Sequence, residues 1–239
     1  MAIERLQLRD GEKVLDIGCG NAMLTIDLAK RMPSGQIVGI EVSEEMHAQA
    51  LKNLANVATS NITIVHTDAL KIQYENEFDV VFSNSAIHWI PDLERVYNLI
   101  YKSLKTPGRI MIQTGMKESN SLFRALAQVT RVEQFRPYLV HFKRPWRFLS
   151  VQENTKILVS AGFQNVRVEP YAFRMQFQTQ ADLLNYCKAA ALVPFLPLFP
   201  EKIKQTFEQK FLEVLLLLNE PNPLEMAMTR LFMQAEKLA

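Results

Sequence analysis

The stretch Asp16-Ile17-Gly18-Cys19-Gly20-Asn21 concentrates the chain's most telling chemistry. An apolar run, Val14-Leu15, leads into a Gly-x-Gly turn, and a carboxylate stands two residues before the first glycine. Glycines here remove side chains where backbone must approach a ligand. A diphosphate would use the free N–H groups of such a turn and the helix N-terminus behind it, but Asp16 would repel it. The acid suits a ligand that presents a cation or donates hydrogen bonds. A nucleoside carrying an amino-acid tail offers both.

Further along, Glu41 lies 21 residues after Gly20, about the distance at which an acid meets ribose hydroxyls in a nucleotide-binding βαβ unit. The alternative is a solvated acid at a strand end. Asp68, in His66-Thr67-Asp68-Ala69-Leu70, could accept from an adenine amino group with the Ala69 N–H nearby, or simply close an Asx turn or cap a helix. Val42 and Met46 could sandwich an adenine ring or belong to the core.

The elements that must position these residues follow from hydrophobic periodicity. Residues 13–17, 36–41, 61–66, 77–84 and 109–114 read as strands. Helical patterns cover 22–31, 44–57 with Ser43 as N-cap, and 92–104, and Pro107-Gly108 forms a turn before the fifth strand. Strands separated by helices imply parallel βαβ units, in which ligands bind beyond the carboxyl ends of the strands. Asp16 to Gly20, Glu41, Asp68 and Asn84 all fall at those ends. After Thr114 the rhythm changes. Residues 119–134 read as a helix, 135–149 as irregular, 151–161 as a helix closed by Gly162, and 166–177 as a strand. Helices over 180–219 are interrupted by Pro194, Pro197 and Pro200. Residues 225–237 have helical propensity.

Composition excludes several classes. The 239 residues carry a net charge of only +2 with no basic run, so nucleic acid is not an expected partner. Cys19 and Cys187 cannot build a disulfide framework or a cysteine metal site. No signal peptide and no membrane span are read, since the apolar tract 211–218 is short and interrupted by Glu213. A cytoplasmic protein without a metal is expected, and oligomeric state is left open.

Taken together, Asp16-Ile17-Gly18-Cys19-Gly20, Gly39-Ile40-Glu41-Val42-Ser43-Glu44-Glu45-Met46, Asp68-Ala69 and Phe78-Asp79-Val80-Val81-Phe82-Ser83-Asn84 resemble the successive motifs of class I S-adenosylmethionine-dependent methyltransferases. The resemblance implies an α/β fold, a Rossmann-like doubly wound, seven-stranded, mostly parallel sheet with a helical lid or insertion. Its last strand is antiparallel and lies between the fifth and sixth, so 225–237 is read as strand against its propensity. The implied organisation is a cofactor-binding core at 1–115, an insertion at 116–150 over the acceptor site, and completion of the sheet by 151–239 with a helical insertion near 180–219. By the same resemblance, Asp16, Gly18 and Gly20 lie along the methionine moiety, with Asn21 in the same cofactor-binding set. Glu41 holds the ribose, Asp68 and Ala69 the adenine, with Val42 and Met46 flanking it, and Asn84 begins the loop facing the methyl group. Ala22 departs from the pattern, since a third glycine often stands there.

Ser83-Asn84-Ser85-Ala86-Ile87-His88-Trp89-Ile90-Pro91-Asp92 is similar to the segment after the fourth strand in trans-aconitate methyltransferases, and juvenile hormone acid methyltransferases have a related His-Trp pair. Both make methyl esters of carboxylic acids, though the pair also occurs with other acceptors. An ionised carboxylate needs no general base. For other acceptors His88 is the base candidate, with a pKa near neutrality. It could equally position the loop, and Trp89 could pack on substrate or anchor the chain. Residues 119–150 contain six basic residues against Glu133 alone, and arginine grips carboxylates in bidentate fashion. Arg124, Arg131, Tyr138 and Trp146 are therefore candidate acceptor contacts, with a solvated face as the alternative. The expectation is methyl transfer from S-adenosylmethionine, leaving S-adenosylhomocysteine, to a small acidic molecule. The alternatives are an acyl-carrier-linked acid, an amine, a lipid-like acid, or a non-catalytic cofactor-binding module.

Overall fold

A computed structural model describes residues 2–116 and 120–239. The four strands β1 (Lys13–Ile17), β2 (Gln36–Glu41), β3 (Ile62–His66) and β4 (Phe78–Asn84) alternate with helices α2 (Met23–Arg31) and α3 (Glu44–Ala55), after a single turn of helix, α1 (Ala2–Arg5). Helix α4 (Leu93–Ser103) leads to β5 (Leu104–Gly115). There follow α5 (Ser121–Val129), α6 (Val151–Ser160), β6 (Gln164–Gln176), α7 (Gln180–Cys187), α8 (Glu201–Leu218) and β7 (Glu225–Lys237). The sheet order is β3-β2-β1-β4-β5-β7-β6. The pairs among β1 to β5 are parallel and the β5–β7 pair is antiparallel. This is the α/β, doubly wound, seven-stranded sheet expected, with the last strand between the fifth and sixth.

Burial explains why these segments take these forms. β1, between β2 and β4, is covered on both faces, so Val14, Leu15, Asp16 and Ile17 are all buried, the near-continuous apolar run of a parallel strand. β3, at the sheet edge, has no fully buried residue. On α4, Leu93, Val96, Tyr97 and Ile100 form the buried stripe at helical spacing, and Asp92 caps its start by accepting from the Arg95 N–H at 2.9 Å. In β7 the strand reading holds over helical propensity because Gly108 to Gly115 supplies an open ladder for Lys237 to Arg230.

The structure differs from the sequence reading in three places. β5 begins at Leu104, before the Pro107-Gly108 turn: Leu104 pairs with Phe78 and Arg109 with Val80, so the excess residues bulge out between two ladder contacts. Gly108 fits that bulge because a Cβ there would come 2.6 Å from the Lys105 carbonyl. The helix read over 119–134 is shorter: the Asn120 side chain accepts from the Phe123 N–H, and tight turns replace the helix after Val129. Ser119 itself lies outside the described residues. Helix α1 was not anticipated.

The chain divides into two compact units. The first comprises residues 1–116, 146–171 and 230–239, and holds most of the sheet. The second comprises 117–145 and 172–229. Its interior is built from Leu122, Ala125, Leu126 and Val129 of α5, Phe207, Phe211 and Leu215 of α8, and an aromatic cluster. Phe207 lies 5.1 Å from Phe135 and 4.7 Å from Phe199 between ring centroids. Phe207→Ala should destabilise the protein by about 3–5 kcal/mol. Urea denaturation followed by fluorescence checks this, and a loss below about 1 kcal/mol would contradict the packing described.

Candidate active site

The carboxyl ends of β1, β2 and β4 converge on the glycine turn. The Gly18 and Cys19 N–H groups both donate to the Ile40 carbonyl, at 2.9 and 3.0 Å, which fastens the turn to the end of β2. Gly18 and Gly20 have φ of +71° and +58°, a region that costs side-chain-bearing residues steric energy. A Cβ on Gly18 would strike that of Ala86 at 2.2 Å, so this glycine lets the loop after β4 come close. Around Gly20 the case is opposite: a Cβ there would meet nothing within 4 Å. The turn thus presents bare backbone to open space, a cradle that fits a ligand. Ala22, in the third-glycine position, itself takes a left-handed conformation at φ 62°.

Glu41 ties the two ends of this cradle together. Its Oε2 accepts from the Gly20 N–H at 2.9 Å and its Oε1 from the Ser43 N–H at 2.8 Å. Each carboxylate oxygen keeps a second lone pair for a further donor. Beside it, Val42 and Met46 are 65% and 37% exposed, so neither belongs to the core. They offer apolar surface at the head of α3, whose N-cap Ser43 accepts from the Met46 N–H. Asn21 is exposed, and its carbonyl accepts from Asn53 Nδ2 on α3. Asp68 caps a short 3-10 turn by accepting from the Leu70 N–H through Oδ1, with Ala69 buried behind it. The cap reading is therefore realised, and Oδ2 is not part of it.

Asp16 is only 2% exposed and accepts from the Thr25 hydroxyl at 2.7 Å. Burial, aided by the neighbouring Glu41 charge, pushes its carboxyl up to about 7 despite that hydrogen bond. Burial together with Asp16 and Glu41 also pushes the Cys19 thiol far up, so this cysteine is no nucleophile.

A second cluster forms where β4 and β5 end. Asn84 pairs with Gln113 across the ladder, and the Ser85 hydroxyl donates to Gln113 Oε1 at 2.8 Å. His88, on the next turn, is 5% exposed, with Nδ1 3.0 Å from the Thr114 hydroxyl. Its ring lies 5.4 Å from Trp89 and 4.7 Å from Phe148, and Trp89 meets Trp146 edge-on at 5.5 Å. Arg147 latches this group, donating from its N–H to the His88 carbonyl at 2.8 Å and from its guanidinium to both oxygens of Glu94. Of the two roles read from sequence, base or positioning residue, the second fits better: burial and the charge of Arg230 lower the His88 pKa to about 3. Such a shift keeps the imidazole neutral at neutral pH.

Within the first unit the structure thus gathers Asp16, Gly18, Gly20, Glu41, Val42 and Met46 around one cradle, and His88, Trp89 and Trp146 in one aromatic group. Arg124, Arg131 and Tyr138 belong to the second unit, where all three are exposed. Sequence reasoning missed Gln113, Thr114, Phe148 and Arg230. Only the antiparallel register of β7 brings Arg230 opposite Gly115, and no local spacing signals that. Among the described residues, no group of three or more His, Cys, Asp or Glu is placed to hold a metal ion, and no helix is long and apolar enough to cross a membrane.

Comparison with known proteins agrees with this geometry. A family model described as a methyltransferase domain matches residues 8–162. Trans-aconitate 2-methyltransferase of Escherichia coli is 26% identical over 98% of this chain and 90% of its own length. Juvenile hormone acid O-methyltransferase of Bombyx mori is 28% identical over 85% of this chain and 74% of its own. Phosphoethanolamine N-methyltransferase 2 of Caenorhabditis elegans is 32% identical over 67% of this chain, which spans only 34% of that protein. Among solved structures, the YcgJ protein of Bacillus subtilis superposes with a TM-score of 0.70 at 14% identity, covering 99% of this chain and 96% of that one. With the family model covering well over half its length, the chain belongs to the class I S-adenosylmethionine-dependent methyltransferases.

Proposed function

We propose that this methyltransferase esterifies a small carboxylic acid, moving the methyl group of S-adenosylmethionine onto a carboxylate oxygen. The observation that carries this reading is the state of His88. His88, on the turn that follows Asn84, is buried, within hydrogen-bond distance of Thr114 and held neutral with a pKa lowered to about 3, which suits it poorly to take a proton from an acceptor. A carboxylate is already ionised at neutral pH. The relatives that span most of this chain and are named for acids, the trans-aconitate and juvenile hormone acid enzymes, support the same class. The C. elegans phosphoethanolamine enzyme favours a second reading, methylation of an amine.

When bound, S-adenosylmethionine supplies a methyl group already activated by its sulfonium charge, so the protein's task is alignment and exclusion of water. In this proposal Glu41 takes the ribose hydroxyls with the lone pairs left by Gly20 and Ser43. Val42 and Met46 cover the adenine, and Asp68 accepts from its amino group beside the Ala69 N–H. Gly18, Gly20 and Asn21 leave room for the methionine tail, whose ammonium answers the Asp16 carboxylate. Asn84 and the Ser85–Gln113 pair fix the loop beside the methyl group, and His88 and Trp89 position that loop. Trp146, which meets Trp89 edge-on, remains a proposed contact for an acidic acceptor.

Two measurements test this. Incubation with methyl-tritiated S-adenosylmethionine and a panel of carboxylic acids and amines should label acids in a product that base releases. Label confined to a base-stable product would overturn the ester reading. Glu41→Gln should weaken S-adenosylhomocysteine binding by calorimetry at least tenfold, or about 1.4 kcal/mol.

Asp16 adds a pH dependence. Its folded pKa lies above the ordinary carboxylate value of 3.8, so its contribution is fullest at acid pH and is lost as pH rises toward about 7. The melting temperature of ligand-free protein should therefore fall between pH 5 and pH 8, and Asp16→Asn should flatten that fall. An unchanged profile in the variant would contradict the assignment.

A further inference from the structure

Arg230 stands at the start of the part of β7 that pairs with β5. Its register partner is Gly115, the last residue of β5, so it lies at the same carboxyl-end rim as Asn84 and Gln113. Directly opposed residues in an antiparallel pair carry their side chains on one face. A Cβ on Gly115 would strike the Phe148 ring at 2.4 Å, so the missing side chain makes room for Phe148, and Arg230 faces the same space. Phe148 packs on His88, which binds Thr114, the neighbour of Gly115. Independently, the Arg230 charge helps to depress the His88 imidazole, which sets the guanidinium within electrostatic reach of that ring.

We propose that Arg230 is the anchor for the acceptor's carboxylate, set at the rim of the sheet beside His88, Phe148 and the Asn84–Gln113 strand ends. The assignment rests on the carboxylic-acid reading above and adds what holds the acid. Three features suit the role. A guanidinium offers a planar fork of donors that matches a carboxylate. Arg230 is half-buried, so its charge is less screened than that of an arginine on the open surface. The neighbouring imidazole stays uncharged, so it neither repels the guanidinium nor competes for the acid. Because Arg230 is borne on a strand paired over eight positions to β5, its backbone is held more firmly than that of an arginine on a loop. This moves the acid-binding charge away from the arginines of 119–150, to which composition alone points.

The test uses the full chain and methyl-tritiated S-adenosylmethionine, with trans-aconitate, succinate and a medium-chain fatty acid as acceptors. Wild type should label at least one of them in a base-labile product. For that acid, Arg230→Gln should raise KM tenfold or more while changing kcat less. Arg230→Lys should recover part of the loss, since lysine restores charge without the fork. S-adenosylhomocysteine affinity, measured by calorimetry, should stay within twofold in both variants, which separates loss of the anchor from loss of the fold. An acid that wild type methylates and Arg230→Gln binds with unchanged KM overturns the role of Arg230 while leaving the ester reading intact. Wild type that labels an amine and no acid overturns both.

Discussion

One carboxylate holds the carboxyl ends of β1 and β2 together. Glu41 accepts from the Gly20 N–H with one oxygen and from the Ser43 N–H with the other. It therefore joins the turn after β1 to the start of α3 through the last residue of β2. Charge-assisted bonds to backbone N–H groups are among the stronger ones available, and these two set the spacing between the bare Gly20 backbone and the exposed Val42 and Met46. Ile40 supports the same junction from below by accepting two N–H groups from the turn. A cradle with left-handed glycines would otherwise be a mobile loop. Here it is fixed before any ligand arrives, which lowers the ordering cost of binding.

Asp16 shows what that arrangement costs. A carboxyl group shut under the turn with Thr25 as its hydrogen-bond partner, and with Glu41 nearby, is disfavoured as an anion. Such a group adds little to the fold and becomes useful once a cation lies close by. The rim where β4 and β5 end is built on different physics. Its aromatic group of His88, Trp89, Trp146 and Phe148 is clasped by Arg147, through the His88 carbonyl and the Glu94 carboxylate. Polar function there is carried by uncharged or fixed groups, which suits a reaction in which the transferred group arrives already activated.

The parts of this design set by short spacings were legible in the sequence. The glycine turn with Asp16, the strand-end position of Glu41 and the Ser43 cap all follow from local rules, and the structure places each of them as the spacing requires. Residues 225–237 show the limit of local rules: Met, Ala, Leu and Glu favour a helix, yet the vacant ladder of β5 makes the segment a strand. The implied strand order, and not propensity, gave the right answer there. Local sequence left His88 open between base and positioning residue, because its pKa depends on burial and on a charge more than a hundred residues away in sequence. Arg230 went unnoticed for the same reason, since its neighbours are fixed by antiparallel register. The start of β5 also depended on tertiary detail, a bulge against β4.

The central claim is that a preformed Glu41–Gly20 cradle holds the methyl donor and that the buried His88 beside it takes no proton from the acceptor. A crystal structure with S-adenosylhomocysteine and a bound carboxylic acid tests it most directly. The account predicts both ribose hydroxyls on Glu41, the cradle backbone unmoved, and no side chain positioned to take a proton from the acceptor oxygen. A cofactor bound away from Glu41, or His88 swung out to hydrogen-bond the acceptor atom, would contradict it.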